Sequence, residues 1–238
     1  MRGMVMRRYL LILLASFATI VSACTSVDDG GAEGSSLPDA AGLLDDAAKS
    51  TAEIKSAHFT LTVNGKVPGL DVQSAEGDLT REGGEAGAAQ GTVKMTLFGS
   101  LFEGDFVIVD DKAYIKGPTG DYQELPASLI ANLYDPAAIL DPSRGIANVL
   151  SNVQDPNTEA EEDVDGVACY RVKGKAGKDV VADLVPGVDS DVDITFWLRK
   201  DGDHQPVKAS VAVPVEGDPS VDVTLSDVDK PVEITAPK

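Results

Sequence analysis

Hydrophobic positions along the chain change period, and the two periods predict two kinds of element. From Pro38 to about Ala57 they recur at helical spacing on one face, which predicts an amphipathic helix with Asp39 near its start. Its predicted apolar face comprises Leu43, Leu44, Ala47, Ala48, Thr51, Ile54 and Ala57. From His58 onward apolar and polar residues alternate, which is typical of a half-buried strand.

The strand period returns in several segments that turn signals separate. Predicted strand material covers 58–64, 70–72, 77–80, 92–97, 105–116, 168–173, 192–199, 207–215 and 221–227. Asn64-Gly65 predicts a turn, and Asp110-Asp111 predicts the turn of a hairpin within 105–116. The segments 82–91 and 157–165 are predicted to be loops, the second an acidic one.

A second helical block covers about 126–153 and is strongly apolar. Asp135-Pro136 and Asp141-Pro142 interrupt it and place prolines at predicted first helical turns. A further short helix is predicted over 178–185. Together the elements predict an α+β domain with a large antiparallel sheet, which tends to curl and leaves helices to fill or cap its concave face. From the pattern alone, the long aliphatic inner face is either a plain core or the wall of an apolar pocket.

The amino terminus predicts a targeting signal. Residues 1–23 combine a basic region (Arg2, Arg7, Arg8) with an apolar stretch from Leu10 to Val21, and Val21-Ser22-Ala23-Cys24 follows. The last four residues match a bacterial lipobox, which predicts a diacylglyceryl group on the Cys24 thiol, cleavage before Cys24 and acylation, for example by palmitate. The alternative is an ordinary secretory signal with an incidental cysteine. The Gly- and Ser-rich residues 25–37 then predict a flexible tether of roughly 20 Å.

Charge and composition exclude several classes of protein. The chain of 238 residues has a formal net charge of −19, which argues against nucleic-acid binding because that needs a basic face. Removing residues 1–23 removes three arginines and shifts the charge to −22. Anionic headgroups would repel such a body, so the tethering must come from the lipid. The residues from 38 to 238 suffice for one domain.

Candidate catalytic and metal-binding residues are sparse. His58 lies at a predicted helix–strand junction and His204 in a predicted turn, and neither has a neighbouring nucleophile in the sequence. The acidic run 189–193 resembles the start of a calcium loop, but Ile194 and Lys200 occupy the positions that require Gly and Glu. Cys169 is predicted to be a buried small hydrophobe. The sequence therefore predicts no enzyme, no metal and no cofactor.

Long co-linear segments resemble a known family. They are densest in 56–58 and 61–70 and continue in 77–80, 93–97, 105–107, 134–137, 145–150 and 202–205. On these segments the chain resembles the LppX/LprA/LprF/LprG family of actinobacterial cell-envelope lipoproteins. The resemblance implies a half-barrel sheet wrapped over helices with an apolar cavity between the layers.

The resemblance also implies a function. A lipid-anchored carrier on the outer face of the cell membrane, in the periplasm or envelope, would bind acylated glycolipids (phosphatidylinositol mannosides, lipomannan, lipoarabinomannan) and triacylglycerol. It would transfer them between membranes with a major-facilitator-type transporter, and we expect a monomer. The alternative is an envelope scaffold or assembly factor for a transporter, with a filled core.

The expected cavity lining is aliphatic, and Val93 and Met95 are assigned to its mouth because their strand follows a long Gly-rich loop. The predicted lining residues are Leu61, Val63, Val93, Met95, Leu97, Phe106, Ile108, Leu129, Leu133, Ile139, Ile146, Val149, Leu150, Ile194, Phe196, Leu198, Val211 and Val223.

Overall fold

The dominant feature of the chain is one antiparallel sheet, which confirms the predicted fold class. The computed structural model describes residues 37–83, 87–97, 99–128 and 136–238, with the backbone alone for Leu97. Within these ranges, eleven strands pair in the order β6-β5-β4-β3-β2-β1-β11-β10-β9-β8-β7. The predicted signal peptide, Cys24, the tether up to residue 36 and Leu129 and Leu133 lie outside the described residues.

The strands are β1 (Ser56–Asn64), β2 (Val72–Thr80), β3 (Ala88–Leu97), β4 (Ser100–Val109), β5 (Lys112–Lys116), β6 (Gln123–Pro126), β7 (Gln154–Val164), β8 (Val167–Ala176), β9 (Val192–Arg199), β10 (Pro206–Ala212) and β11 (Ser220–Ser226). The helices are α1 (Ala40–Glu53), a 3-10 helix (Pro136–Leu140), α2 (Ile146–Ser151) and α3 (Lys178–Val181).

Two meanders meet in the middle of the sheet. Strand β1 pairs with β2 on one side and with β11 on the other, so the first and last strands of the chain are neighbours. We call β1–β6 the amino-terminal half and β7–β11 the carboxyl-terminal half. Phe59 and Leu61 of β1 are fully buried on the inner face, while Thr60 and Thr62, which alternate with them, are exposed.

The helices cover the inner face. Helix α1 begins at the N-cap Asp39, whose side chain accepts a hydrogen bond from the Gly42 amide at 2.9 Å. It buries Leu43, Leu44 and Ala47 and packs against α2. Helix α3 also packs against α2, and the 3-10 helix lies against β2 and β3.

Glycines bend the amino-terminal half. Gly77 of β2 faces Gly91 of β3 in the row that also contains Phe59 and Phe106. A Cβ on Gly77 would lie 1.9 Å from the Gln90 carbonyl oxygen, so no other residue fits this backbone. Glycine within a strand marks such a tight bend.

Two predicted loops are largely or partly strand. Residues 157–164 of the acidic segment belong to β7, because half-buried and exposed positions alternate there and its carboxylates pair with Arg171 of β8 and with Lys200 directly after β9. The segment predicted as a loop over 82–91 joins β3 at Ala88. Ala88 and Ala89 are fully buried on opposite faces of the sheet, which fixes them in the strand.

Helix boundaries also differ from the predictions. Helix α1 ends at Glu53 rather than near Ala57, because β1 begins at Ser56 and Ala57 is buried as part of that strand. Pro136 does open a helix, of the 3-10 type, but Pro142 lies in the turn before α2. The strand predicted to end at residue 215 ends at Ala212.

Other local predictions are confirmed. The predicted hairpin turns at Asp110 and Asp111, which both have positive φ, as a two-residue turn between twisted strands requires. Strand β9 has the predicted bounds 192–199, and α3 lies within the predicted helix 178–185.

The last residues of the chain cross the outer face of the amino-terminal half. The Asp229 amide donates to the Ser56 carbonyl at 2.8 Å, and the Ser56 hydroxyl donates to the Lys230 carbonyl at 2.7 Å. Farther along, Ile234 is buried against Ala88, Val107 and Val109. The sheet is thus covered on both faces here.

Candidate functional site

The predicted lining residues converge in one apolar layer between the sheet and the helices. Those whose side chains the structure describes are all buried, or partly buried and packed, in a single hydrophobic cluster. Val63, Val93 and Val223 are the partly buried ones. The layer joins strands from both halves of the sheet to the 3-10 helix and α2.

A small apolar cavity lies in this layer, between β9–β11 and the helices. Its volume is about 30 Å³, close to that of a single water molecule. Its lining residues are Ile139, Ile146, Val149, Val181, Leu184, Val185, Ile194, Phe196, Ala209, Val211, Val221 and Val223. In the described residues the helices therefore pack against the carboxyl-terminal half through aliphatic side chains and one phenylalanine.

Five of these lining residues were not singled out from the sequence. Val181, Leu184 and Val185 belong to the segment around α3, and their spacing of three and four residues marks one apolar helical face. That spacing could have identified them. Ala209 and Val221 lie on inner positions of β10 and β11 and carry only the general strand signal.

The residues assigned to the mouth occupy inner positions of β3. Met95 is buried opposite Phe102 of β4, and Val93 is half-buried opposite Gly104. The Phe102 ring packs over Gly104, where a Cβ would come within 2.8 Å of its Cζ. A hollow of about 160 Å³ lies behind Val93, and most of the side chains that line it are polar ones of the outer face of β1–β4. Val93 itself is partly buried and packs against the apolar layer.

The turn between the two central helices is held by a carboxylate. Burial opposes ionisation of Asp141, but hydrogen bonds from Arg144 at 2.9 Å and from the Ser143 hydroxyl and amide outweigh it and lower the pKa of Asp141 to about 2. The turn links the 3-10 helix to α2. Its ion pair therefore fixes how the two helices lie over the apolar layer.

Groups that could carry other chemistry are engaged elsewhere. The His58 Nδ1 lies 2.9 Å from Asp78 Oδ1 in the middle of the outer face, and the His204 Nδ1 lies 2.8 Å from the Arg199 carbonyl. In the described ranges neither imidazole bonds to a hydroxyl or a thiol. Burial raises the pKa of the Cys169 thiol, which donates to the Val167 carbonyl.

Two carboxylates of the acidic run 189–193, which resembles the start of a calcium loop, bind neighbouring protein groups. Asp191 accepts a hydrogen bond from the Lys178 amide at the start of α3, and Asp193 pairs with Lys173 at 3.3 Å. Across residues 37–83, 87–97, 99–128 and 136–238, no three His, Cys, Asp or Glu side chains come together as a metal site would require.

A sheet folded over helices with a continuous aliphatic layer is the architecture that the resemblance implied. The sequence profile of the LppX_LprAFG lipoprotein family matches residues 39–234. The chain belongs to this family. Nearly the whole described sheet lies within the match, so family membership applies to the fold and the apolar layer alike.

Relatives that align with this chain over nearly their whole length are named as carrier proteins. The lipoarabinomannan carrier protein LprG of Mycobacterium tuberculosis (strain H37Rv) is 36% identical over 234 residues, covering 97% of this chain and 95% of the relative. LprG of Mycolicibacterium smegmatis is 38% identical, covering 96% and 94%. These comparisons support a lipid carrier and agree with the prediction that the chain is not an enzyme.

Solved structures of the family share the fold. LprF from Mycobacterium bovis superposes with a TM-score of 0.75 at 30% identity, covering 86% of this chain and 99% of that one. LppX from M. tuberculosis gives 0.62 at 25% identity, covering 83% and 100%. Among the helices described, none has the length and apolarity needed to span a bilayer. A lipoprotein family is consistent with anchorage at an envelope membrane.

Proposed function

We propose that this protein is a lipid-anchored carrier that holds the acyl chains of envelope lipids between its sheet and its helices. The observation that carries the proposal is the apolar layer itself, in a chain whose full-length relatives are named lipoarabinomannan carriers. By analogy with those names, the proposed cargo is acylated lipoglycan: lipoarabinomannan, lipomannan and phosphatidylinositol mannosides. Triacylglycerol is a further proposed cargo, because its acyl chains would enter the same apolar layer.

The energetics favour such a carrier. Exposing an acyl chain to water costs about 0.8 kcal/mol per methylene, so a sixteen-carbon chain meets a barrier on the order of 12 kcal/mol. Both a bilayer and an aliphatic layer remove that cost, which makes transfer between them nearly neutral. The protein therefore needs to shield its cargo rather than bind it tightly.

Loading requires the helices to move away from the sheet. The cavity of about 30 Å³ between β9–β11 and the described helices has no room for an acyl chain. Its lining side chains are all apolar, so they can part without breaking side-chain hydrogen bonds, and an entering acyl chain replaces the lost apolar contacts. The polar head of a glycolipid would stay outside, at the margin where Val93 lies.

Anchorage would come from the amino terminus. A lipidated Cys24 and a tether of roughly 20 Å would hold the domain at the outer face of the cell membrane while leaving it free to reorient. The acidic body would not itself adhere to anionic headgroups. A major-facilitator-type transporter would supply the cargo, and the carrier would act as a monomer.

Val93→Trp tests the proposal. The indole ring should obstruct the margin of the apolar layer and lower lipid loading severalfold. The circular dichroism spectrum and the melting temperature should stay near those of the wild type. Transfer of a fluorescent-tailed phosphatidylinositol between donor and acceptor vesicles measures this. Thr92→Trp is the matched control, because it places the same ring on the outer face of the same strand. Equal transfer by both variants would contradict the assignment of Val93.

An envelope scaffold is the second candidate, and the small volume of the cavity lined by the described residues favours it. A scaffold would not need its helices to move. It predicts that the wild-type chain transfers no lipid in the same assay, whereas a carrier accelerates transfer in proportion to its concentration.

A further inference from the structure

The tip of the β3–β4 hairpin exposes apolar surface that the fold does not use. Leu101 is 60% exposed and projects from the outer face of β4. The other large hydrophobic residue counted as exposed in the described chain is Leu37, at 37%. Hairpin tips elsewhere in the sheet carry charge instead, such as Asp110 and Asp111 between β4 and β5.

The two chain segments that lead to the tip are poor in negative charge. No Asp or Glu occurs from Ala88 to Phe102, or from Ile54 to Leu70, although the chain has 39 acidic residues. These two runs meet at this end of the sheet, where the Thr96 amide donates to the Asp71 carbonyl directly after the second run. Exposed Lys66 lies in that run. Asp71 and Glu103 border the two runs, and Lys66 and Lys94 lie within them, so these four formal charges sum to zero. The hairpin tip is therefore less strongly repelled by anionic headgroups than the acidic chain as a whole.

The inner side of the tip continues into the apolar layer. Leu101 is followed by Phe102, whose ring is half-buried on the inner face beside buried Met95. Both belong to the cluster that contains the predicted lining residues. One hairpin thus presents an apolar side chain outward and connects, one residue later, with the layer proposed to hold acyl chains.

We propose that the β3–β4 hairpin tip inserts Leu101 into the headgroup–acyl boundary of a phospholipid bilayer and places the inner side of β3 and β4 at the membrane surface. An acyl chain leaving the bilayer there would pass Phe102 and Met95 before reaching the apolar layer. This route rests on the proposed carrier function, whereas the membrane contact itself does not. A lipid tether at Cys24 would keep the tip close enough to the membrane for one leucine to suffice.

Site-specific labelling tests the contact. The chain from residue 24 onward, with Cys24→Ser to remove the lipid, would carry Leu101→Cys labelled with the environment-sensitive fluorophore NBD. Cys169 is fully buried and its thiol pKa is raised, so it should not react. Asp201→Cys, in the exposed β9–β10 turn, is the matched label position. Phosphatidylcholine vesicles, with and without phosphatidylinositol, serve as the probe.

The expected result is a blue shift and increased emission at position 101 with vesicles, quenched by spin-labelled lipids, and neither change at position 201. Leu101→Asp should weaken vesicle binding by on the order of tenfold, because it loses one leucine burial. Gln73→Glu adds the same charge at an exposed position of β2, which pairs with β3, and should change vesicle binding less than about twofold. Equal spectra at the two labels, or equal losses in the two charge variants, would overturn the inference.

Lipid loading of the same samples, measured by mass spectrometry, separates the two proposals. Loading without a fluorescence change at position 101 would overturn the hairpin contact and leave the carrier intact. A fluorescence change without loading would support the membrane contact and contradict the carrier.

Discussion

The two halves of the sheet bury their surfaces in different ways. In the carboxyl-terminal half, β9 lines its inner face with Val192, Ile194, Phe196 and Leu198, each at most 2% exposed. The amino-terminal half instead has Gly77 facing Gly91 in the middle of its inner face. The carboxyl-terminal half packs against its helices through bulky side chains. In the amino-terminal half, the glycines leave no side chains between the backbones of β2 and β3.

The outer faces differ as well. In the carboxyl-terminal half, Trp197 donates to Glu162, and the Lys208 ammonium lies 5.1 Å from the Trp197 ring centre and 2.9 Å from Asp222. In the amino-terminal half the outer face is apolar at Val107 and is covered by the last residues of the chain.

This contrast assigns the curvature of the sheet to one half and the space for an acyl chain to the other. Glycines fix the bend of the amino-terminal half, because their backbone positions tolerate no Cβ. The carboxyl-terminal half owes its closure to dispersion and hydrophobic contacts, which an acyl chain can replace one for one. We therefore expect changes to the glycine row to affect folding, and changes at the helix junction to affect how easily the apolar layer opens.

The largest expected effect is that of Gly91→Val. A Cβ at this position would lie 2.0 Å from the Glu76 carbonyl oxygen, so the strand pair must separate. We expect a loss of at least about 3 kcal/mol in the free energy of unfolding, measured by urea denaturation. Thr92→Val, next along β3 and exposed, should change it by less than about 0.5 kcal/mol. A stable, folded Gly91→Val variant would show that the bend does not depend on the glycine row.

A smaller effect is expected from Asp141→Asn. The carboxylate is 29% exposed and holds the turn between the 3-10 helix and α2, so its loss should cost about 1–2 kcal/mol at pH 7. Because the folded-state pKa of about 2 lies below the ordinary 3.8, this stabilisation is complete above pH 3.8 and disappears as the pH falls towards 2.

Urea unfolding of both proteins from pH 7 to pH 2 measures this difference. Asp46→Asn is the control, since that carboxylate is 58% exposed in a surface pair with Lys49 and should contribute less than about 0.5 kcal/mol. The comparison of the halves also predicts faster lipid uptake by Asp141→Asn. A stability difference that stays constant down to pH 2 would contradict the assigned role of the Asp141 carboxylate.

Much of the fold follows from local pattern. Strand β9 could be predicted to the residue because its apolar and polar positions alternate without interruption, and the β4–β5 hairpin because Asp110-Asp111 suits positive φ. Strand β7 could not, because its half-buried positions include Pro156, Thr158 and Ala160 rather than large apolar residues. Its side-chain contacts include the Glu159–Arg171 ion pair within the β7–β8 hairpin and the hydrogen bond from Trp197 to Glu162, which joins segments far apart in sequence.

The candidate site shows the same division. The apolar positions of β1, β3 and β9 could be assigned to one inner face from their period alone. That the cavity lies nearer β9–β11 than β3 depends on where the helices pack, which no local pattern encodes. Ile234 packs over Ala88, which lies far from it in sequence. No local pattern around Ala88 predicts this contact.

Native mass spectrometry shows whether the folded chain carries a bound lipid, which is what the proposed carrier function requires. The chain from residue 24 onward, with Cys24→Ser, would be purified from an actinobacterial host and measured before and after incubation with phosphatidylinositol vesicles. The account predicts an added mass of one diacyl or triacyl lipid per chain, released by organic extraction. An unloaded mass in both samples, from a protein shown to be folded, would contradict the carrier and favour the scaffold.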